Sequence, residues 1–242
     1  MRLDKYLQTK FNLKSRTYAE NLIRTGCVCV DGKITEKTST EVDDSNQISI
    51  LDDQNYASQG AFKLEKAFED FRLDVNGKSC ADVGCSNGGF TDCLLRHGAE
   101  SVLAIDVAEC ALPDELLKSG KVTFLRANAR ELPKDLCKVD FVCSDLSFIS
   151  LKYVLGEIYD LLKESGECVV LIKPQFELDK TALNKSGVVN DEKLRKRAVE
   201  NVKSYALSQG FEIAGFSISP IRYDYKNVEY LLYLKKSLNA TI

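Results

Sequence analysis

Asp82-Val83-Gly84-Cys85-Ser86-Asn87-Gly88-Gly89-Phe90 reads as the end of a strand, a glycine-rich turn and the first turn of a helix. Glycines let a backbone bend sharply and approach a ligand closely, and the N-terminus of a helix offers free N–H groups to an anion. A dinucleotide-binding loop would have a glycine at position 86, where this chain has Ser86. The spacing therefore favours the shorter loop that holds S-adenosylmethionine, whose anionic group is one carboxylate.

Short apolar runs alternate with helical stretches around this turn. The runs are Cys80–Val83, Val102–Ile105, Val122–Leu125, Phe141–Cys143 and Cys168–Ile172, followed by a late pair at Phe211–Ser217 and Tyr230–Leu234. Strands that alternate with helices predict an α/β fold with a Rossmann-like, doubly wound and mostly parallel sheet. Such a sheet binds its ligand at the carboxyl ends of its strands. The last two runs indicate an antiparallel strand pair.

Polar side chains follow the second and third predicted strands. Asp106 ends the second strand, where a carboxylate can accept hydrogen bonds from both ribose hydroxyls of a cofactor. Asn128 and Ala129 follow the third strand, where an amide or a backbone N–H could read an adenine edge, although a turn residue equally explains Asn128. The predicted cofactor-binding set is Asp82, Gly84, Ser86, Gly88, Gly89, Phe90, Asp106, Asn128, Ala129 and Asp145.

Four charged residues stand at strand ends or just before a helix. They are Lys63, Asp145, Lys173 and Glu229. Charged groups rarely end buried strands without a partner, so Asp145 and Glu229 are expected beside Lys173. An ordinary salt bridge would explain any one of the four, but four of them beside a cofactor loop favour a reactive cluster.

The first 50 residues form a different pattern, two short helices and then a hairpin. Ser15 or Thr17 can cap the second helix, Gly26 ends it, and Asp31-Gly32 is a strong hairpin signal. Residues 1–40 contain eight basic and four acidic side chains, although the whole chain carries −3. Such clustering suits phosphate contacts, and a solvated helix face is the alternative. The candidate RNA-binding residues are Arg2, Lys5, Lys14, Arg16, Arg24 and Lys33.

Composition argues against several classes of protein. The chain has no run of about 18 apolar residues that could span a membrane and no apolar signal-peptide core at its start, so the expected location is the cytoplasm. Nine cysteines without CxxC spacing argue against a disulfide framework. With His97 as the sole histidine, neither a zinc site nor a histidine-based triad is expected. Proton chemistry must then use Lys, Asp, Glu, Tyr or Cys.

Several of these motifs resemble known families. Arg2-Leu3-Asp4-Lys5-Tyr6-Leu7, Ser15-Arg16 and Val28-x-Val30-Asp31-Gly32-Lys33 closely resemble the S4 RNA-binding domain. The four charged residues resemble the Lys-Asp-Lys-Glu set of the FtsJ/RrmJ-like 2′-O-ribose methyltransferases. The glycine loop, the block at 145–151 and the block at 173–177 look like the TlyA, or hemolysin A-like, branch in particular. That branch usually has Arg where Gln59 stands and Gly where Lys226 stands.

The resemblance implies an S4-like domain at 1–52, a linker at 53–59 and a methyltransferase domain at 60–242. It implies methyl transfer from S-adenosylmethionine to a ribose 2′-hydroxyl of cytidine in ribosomal RNA, without a metal. Lys63, Asp145, Lys173 and Glu229 would be catalytic, with Lys173 at the hydroxyl to stabilise the oxyanion or take the proton. The partner would be ribosomal RNA or a ribosomal subunit, and not a membrane.

Three alternative functions remain open at this point. One is an RNA-binding ribosome-assembly factor without turnover, against which the intact Gly84, Gly88 and Lys173 argue. The second is a pore-forming hemolysin, for which the sequence has no spanning helix and no long amphipathic strand pair. The third is a small-molecule methyltransferase, against which the S4-like front end argues.

Overall fold

The structure, a computed structural model, describes residues 1–24, 27–50, 56–58, 60–220 and 227–237, and residues 33 and 34 by their backbone alone. Gly26, Gln59 and most of the predicted linker at 53–59 lie outside the described residues, as does the 221–226 segment before Asn227.

The N-terminal 50 residues form two helices and a three-stranded antiparallel sheet. Helix α1 is Leu3–Lys10 and α2 is Arg16–Arg24, and the strands β1 (Val28–Val30), β2 (Lys33–Ile34) and β3 (Ile48–Ile50) pair in the order β2-β1-β3. The Ser15 hydroxyl accepts a hydrogen bond from the Tyr18 N–H at 3.1 Å, so Ser15 is the cap and Thr17 lies within the helix. Asp31 and Gly32 have φ of 51° and 76°, as a two-residue hairpin turn requires.

The rest of the chain forms a seven-stranded sheet covered by helices. Its elements are α3 (Gly60–Phe71), β4 (Ser79–Val83), α4 (Gly89–Arg96), β5 (Ser101–Asp106), α5 (Asp114–Lys118), β6 (Val122–Arg126), β7 (Val139–Ser144), α6 (Leu155–Leu161), β8 (Leu162–Ile172), α7 (Pro174–Glu177), α8 (Glu192–Ser208), β9 (Phe211–Ile218) and β10 (Tyr230–Lys236). The strand order is β6-β5-β4-β7-β8-β10-β9, and β10 runs antiparallel to both of its neighbours. The predicted doubly wound sheet with a late antiparallel pair is confirmed.

The sheet is apolar on both faces because its strands alternate their side chains between two cores. In β8, Val169 and Leu171 face one core, whereas Cys168, Val170 and Ile172 face the other. The first core also contains apolar residues of α1 and α2, of α3 and of α4, so the N-terminal helices share it with the seven-stranded sheet. The second core is closed by α6 and α8.

The reversal of β10 places one more residue at the carboxyl edge of the parallel strands. Tyr230, the first residue of β10, pairs with Ile172, the last residue of β8. Glu229 therefore stands next to Lys173 at this edge, although it precedes its strand and Lys173 follows its own.

Candidate active site

The four charged residues that the sequence singled out lie together at the carboxyl edge of the sheet. Asp145 follows β7 and bridges two lysines, with its Oδ1 2.6 Å from Lys173 Nζ and its Oδ2 2.9 Å from Lys63 Nζ. Lys63, in the first turn of α3, also lies 2.7 Å from Glu229 Oε2. The result is a row of alternating charges, Glu229–Lys63–Asp145–Lys173, whose side chains are 8 to 19% exposed.

One pairing differs from the sequence expectation. The sequence predicts Glu229 beside the ammonium of Lys173, but the ion pair of Glu229 is with Lys63. The physical reason is the position of α3, which packs across the sheet and inserts Lys63 between the two carboxylates. Lys173 instead donates a hydrogen bond to the Ser147 hydroxyl at 2.9 Å. It stands at the end of the row, bound to one carboxylate, whereas Lys63 is bound to two.

The charges of the row stabilise each other against burial. Burial disfavours the charge on Lys63, but Asp145 and Glu229 outweigh that effect and raise the pKa of the ammonium above its ordinary value. Burial likewise disfavours the charge on Asp145, but Lys63 and Lys173 outweigh it and hold the pKa of the carboxyl below 3.8. Lys63 therefore stays protonated at neutral pH, so it can orient and stabilise charge but cannot serve as a base.

The glycine loop after β4 approaches the same cluster closely. Gly84 has φ of 90°, and a Cβ there would lie 2.8 Å from Leu146 Cδ2 and 3.2 Å from the backbone oxygen of Asp145. A side chain at position 84 would thus fill the space between the loop and the residues after β7. Gly89 begins α4, and a Cβ there would collide with Ser58. The loop forms a cradle that only glycine permits.

Asp106 is the acidic group at the end of β5, and its carboxylate is held in place by the backbone. It accepts hydrogen bonds from the N–H groups of Ser86 and Ala108, both at 2.9 Å. Ser86 itself has φ of 47°, a conformation that non-glycine residues rarely adopt. The carboxylate is fixed at the rim between two cavities.

The two cavities lie side by side along this edge. One of about 620 Å³ is lined by all four charged residues together with Gly84, Ser86, Gly89, Phe90 and Asp106. The second, of about 530 Å³, is lined by Asn128, Ala129 and Phe148 among others, and shares Gly84 and Asp106 with the first. The volumes suit a small organic molecule that spans both cavities.

Two members of the predicted cofactor set lie outside these linings. Asp82 is fully buried beneath the loop and accepts a hydrogen bond from the Thr91 hydroxyl at 2.7 Å, and burial raises the pKa of its carboxyl to about 7. A Cβ on Gly88, with φ of 81°, would press on Leu112. Within the described residues, Asp82 and Gly88 therefore shape the loop from below and do not contact the space above it. Asn128 accepts a hydrogen bond from the Arg130 N–H, as a turn residue does, and it also lines the second cavity, so its contact with an adenine stays a prediction.

The basic residues of the N-terminal domain are organised by a buried acid. Asp4 is fully buried, and its Oδ2 lies 2.9 Å from Arg2 Nη2 and 2.7 Å from Arg16 Nη2. Both arginine side chains remain about half exposed. Burial disfavours the charge on Asp4, but its hydrogen bonds to the two arginines hold the pKa of the carboxyl well below the ordinary value. Arg2 and Arg16 are thereby fixed side by side on one surface.

The remaining candidate RNA-binding residues differ in how much of each side chain is open to a ligand. Lys5 is exposed, and Lys14 donates a hydrogen bond to the backbone oxygen of Tyr56 at 3.0 Å. The Nε of Arg24 is buried, so less of that guanidinium is open to a ligand. The side chain of Lys33 lies outside the described residues.

Sequence reasoning missed several residues at the edge of the site. Ser147 holds Lys173, and Phe148, with φ of 67°, is 91% exposed beside the second cavity. Asn227 accepts a hydrogen bond from Val189 N–H at 2.8 Å and so ties the 187–189 loop to the start of β10. The sequence did offer one signal for Ser147 and Phe148, since both residues follow shortly after the end of β7. No helix within the described residues has the length and apolar character to cross a membrane.

Comparison with known proteins gives two family matches. Residues 56–236 match the FtsJ-like methyltransferase model, and residues 1–48 match the S4 domain model. A Mycobacterium tuberculosis protein named 16S/23S rRNA (cytidine-2′-O)-methyltransferase TlyA is 39% identical over 100% of this chain and 92% of its own length. Hemolysin A of Brachyspira hyodysenteriae is 37% identical over 96% of this chain and 99% of its own length. A solved hemolysin-like structure from Streptococcus thermophilus is 30% identical, with a TM-score of 0.74 over 98% of this chain and 89% of that one.

Proposed function

Because this chain belongs to the FtsJ-like methyltransferase family and carries an S4 domain, we propose that it methylates a ribose 2′-hydroxyl of cytidine in ribosomal RNA, with S-adenosylmethionine as donor. The name of the Mycobacterium tuberculosis relative supports the choice of RNA, of base and of position. The proposed place of action is the cytoplasm, where ribosomal RNA is found.

One observation carries the proposal most directly, the row Glu229–Lys63–Asp145–Lys173 in the wall of the larger cavity. A ribose hydroxyl is a poor nucleophile at neutral pH, and its oxygen gains negative charge as it attacks. Lys173 ends the row with a single carboxylate partner, so its Nζ is the atom left to meet that oxygen, where it would take the hydroxyl proton as the methyl group passes from sulfur to oxygen. Lys63 and Asp145 would hold Lys173 in position, and Glu229 would hold Lys63.

The cradle fits the proposed cofactor. S-adenosylmethionine, when bound, supplies the methyl group as an electrophile. Gly84 lets the loop lie close against the residues after β7, and the neighbouring N-terminus of helix α4 can face a carboxylate. Asp106 at the shared rim is the proposed acceptor for ribose hydroxyls, and Asn128 and Ala129 in the second cavity would contact the adenine. Much of the rate would come from the alignment of the reacting groups.

The N-terminal domain would supply RNA affinity. Asp4 holds Arg2 and Arg16 side by side with each arginine side chain about half exposed, a geometry that suits adjacent phosphates. Lys5, Lys14, Arg24 and Lys33 complete the proposed RNA-binding set. We place the S4-like domain at 1–52, the linker at 53–59 and the methyltransferase domain at 60–242, supported by the two family matches.

The test is methylation by Lys173 variants. Lys173→Ala and Lys173→Arg should both fold, because Asp145 keeps its ion pair with Lys63 in each. Both should lose incorporation of tritiated methyl groups into ribosomal RNA, since arginine cannot be deprotonated and its planar fork misplaces the charge. Lys196→Ala, at an exposed position on α8, is the matched control. Near-normal turnover by a folded Lys173→Ala protein would contradict the proposed role.

A further inference from the structure

Glu65, Cys93 and His97 form a second cluster, which the proposed reaction does not use. His97 Nε2 lies 2.9 and 3.0 Å from the two carboxylate oxygens of Glu65, and Cys93 Sγ lies 3.4 Å from Glu65 Oε1. One ligand atom from each residue lies within 4.8 Å of the others. From the sequence alone no zinc site is expected, because Glu65 is distant in the chain from Cys93 and His97 and the cysteines lack CxxC spacing.

The residue types and their spacing are those of a metal-binding site. Cys93 in α4 and His97, the residue that caps the C-terminus of α4, are four residues apart and lie on one face, and Glu65 approaches that face from α3. Thiolate, imidazole and carboxylate are the three side-chain groups that bind Zn²⁺, at about 2.0–2.3 Å. Ligand atoms around a tetrahedral ion are then roughly 3.3–3.8 Å apart, by geometry from those bond lengths. The Glu65–Cys93 separation of 3.4 Å lies within this range, and the Glu65–His97 separation of 2.9 Å is slightly shorter.

The surroundings hold two of these ligands in a fixed orientation. The imidazole of His97 stacks on the ring of Phe68 with centroids 3.8 Å apart and planes 2° from parallel. The hydroxyl of Tyr56 donates to Glu65, as outer partners of metal ligands commonly do. Cys93 is fully buried, whereas about a third of the His97 side chain is exposed, which gives an ion an access route from solvent.

We propose that Glu65, Cys93 and His97 bind one Zn²⁺ ion, with a water molecule in the fourth position. Binding would replace the thiol proton of Cys93, which passes to solvent. A soft thiolate and an imidazole favour zinc over Mg²⁺ or Ca²⁺. The ion would fasten α3, which carries Lys63, to α4, which begins at the glycine loop. Its role is structural, since it lies outside the residues that line the two cavities.

Cobalt titration of the full chain tests this site. After removal of bound metal with a chelator, one equivalent of Co²⁺ should produce a thiolate-to-cobalt charge-transfer absorption band, and Zn²⁺ should displace the cobalt and raise Tm by a few degrees. Cys93→Ser should abolish the band. His97→Gln, at the exposed rim, should weaken cobalt binding about tenfold or more. The double variant Cys110→Ser, Cys137→Ser is the matched control, because both of those thiols are exposed and neither belongs to the cluster.

The outcomes separate a metal site from a hydrogen-bond network. If the folded native chain gives no charge-transfer band, the cluster is a network only and the proposal is wrong. A band that survives Cys93→Ser but disappears in the double variant would assign the metal to surface thiols and would also overturn it. Should Cys93→Ser fail to fold, unchanged cobalt affinity in a folded His97→Gln protein would be decisive against the site.

Discussion

Asp145→Asn removes the charge that two buried lysines share while it preserves the shape of the side chain. In the native chain, Asp145 reaches Lys173 at 2.6 Å and Lys63 at 2.9 Å, and all three side chains are less than a fifth exposed. An asparagine can accept a hydrogen bond, but it cannot offset either ammonium charge. The variant therefore leaves two positive charges near each other, with Glu229 as the one carboxylate of the row.

The expected loss of stability follows from what each lysine retains. Removal of one partner from a buried ion pair costs about 3–5 kcal/mol when the other charge is left uncompensated. Lys63 keeps Glu229 at 2.7 Å and Lys173 keeps the Ser147 hydroxyl at 2.9 Å, so compensation is partial. We expect a decrease of about 2–4 kcal/mol in the free energy of unfolding, together with loss of methyl transfer.

Urea unfolding at a series of pH values measures both the size and the sign of this effect. The pKa of Asp145 is held below 3.8 by the two ammonium groups, so its stabilisation is complete above the unfolded-state pKa and is lost as pH falls through the folded-state pKa. The difference in the free energy of unfolding between the native and variant proteins should be constant from pH 7 to about pH 5 and should become smaller below about pH 4. Equal stability at pH 7, or a difference that does not narrow in acid, would refute this reasoning.

Three further variants test separate parts of the structure. Gly84→Ala should abolish cofactor binding in calorimetry, since its Cβ would clash with the residues after β7, whereas Gly120→Ala, also at positive φ but with open space around it, should bind normally. Asp4→Asn should lower stability by about 1–3 kcal/mol and weaken RNA binding, with a shallower salt dependence if Arg2 and Arg16 lose their alignment. Glu229→Gln should reduce methylation with a smaller loss of stability than Asp145→Asn, because Lys63 keeps its ion pair with Asp145. An equal decrease in Tm for the two variants would contradict the order of the row.

The strand ends were predictable from the sequence because apolar runs mark the strands. Since parallel strands end at the same edge of a sheet, the residues that follow them were predictable neighbours. The positions of Asp145, Lys173 and Asp106 follow from that rule alone. Glu229 precedes its strand, and it reaches the same edge because β10 is reversed; the predicted antiparallel pair left open which of its two strands would run against the others.

Which charges pair could not be predicted, since pairing depends on how a helix packs across the sheet. The placement of α3 inserts Lys63 between Asp145 and Glu229, and no periodicity in the sequence encodes that distance. The same packing brings Glu65 to Cys93 and His97. Local rules also missed Asp4, which looks like an ordinary helix residue until Arg2 and Arg16 close over it.

The energetic character of the charged row favours a reaction over a structural role. Replacing a buried ion pair by apolar side chains of similar volume often leaves a protein as stable or makes it more stable. Such a replacement would be available at the ends of β7 and β8, whose last residues are already fully buried. Instead the chain places two lysines and two carboxylates there, in the wall of a 620 Å³ cavity and next to a loop that only glycine permits. Stability alone does not account for four ionised groups at this position, whereas a developing oxyanion beside a held lysine does.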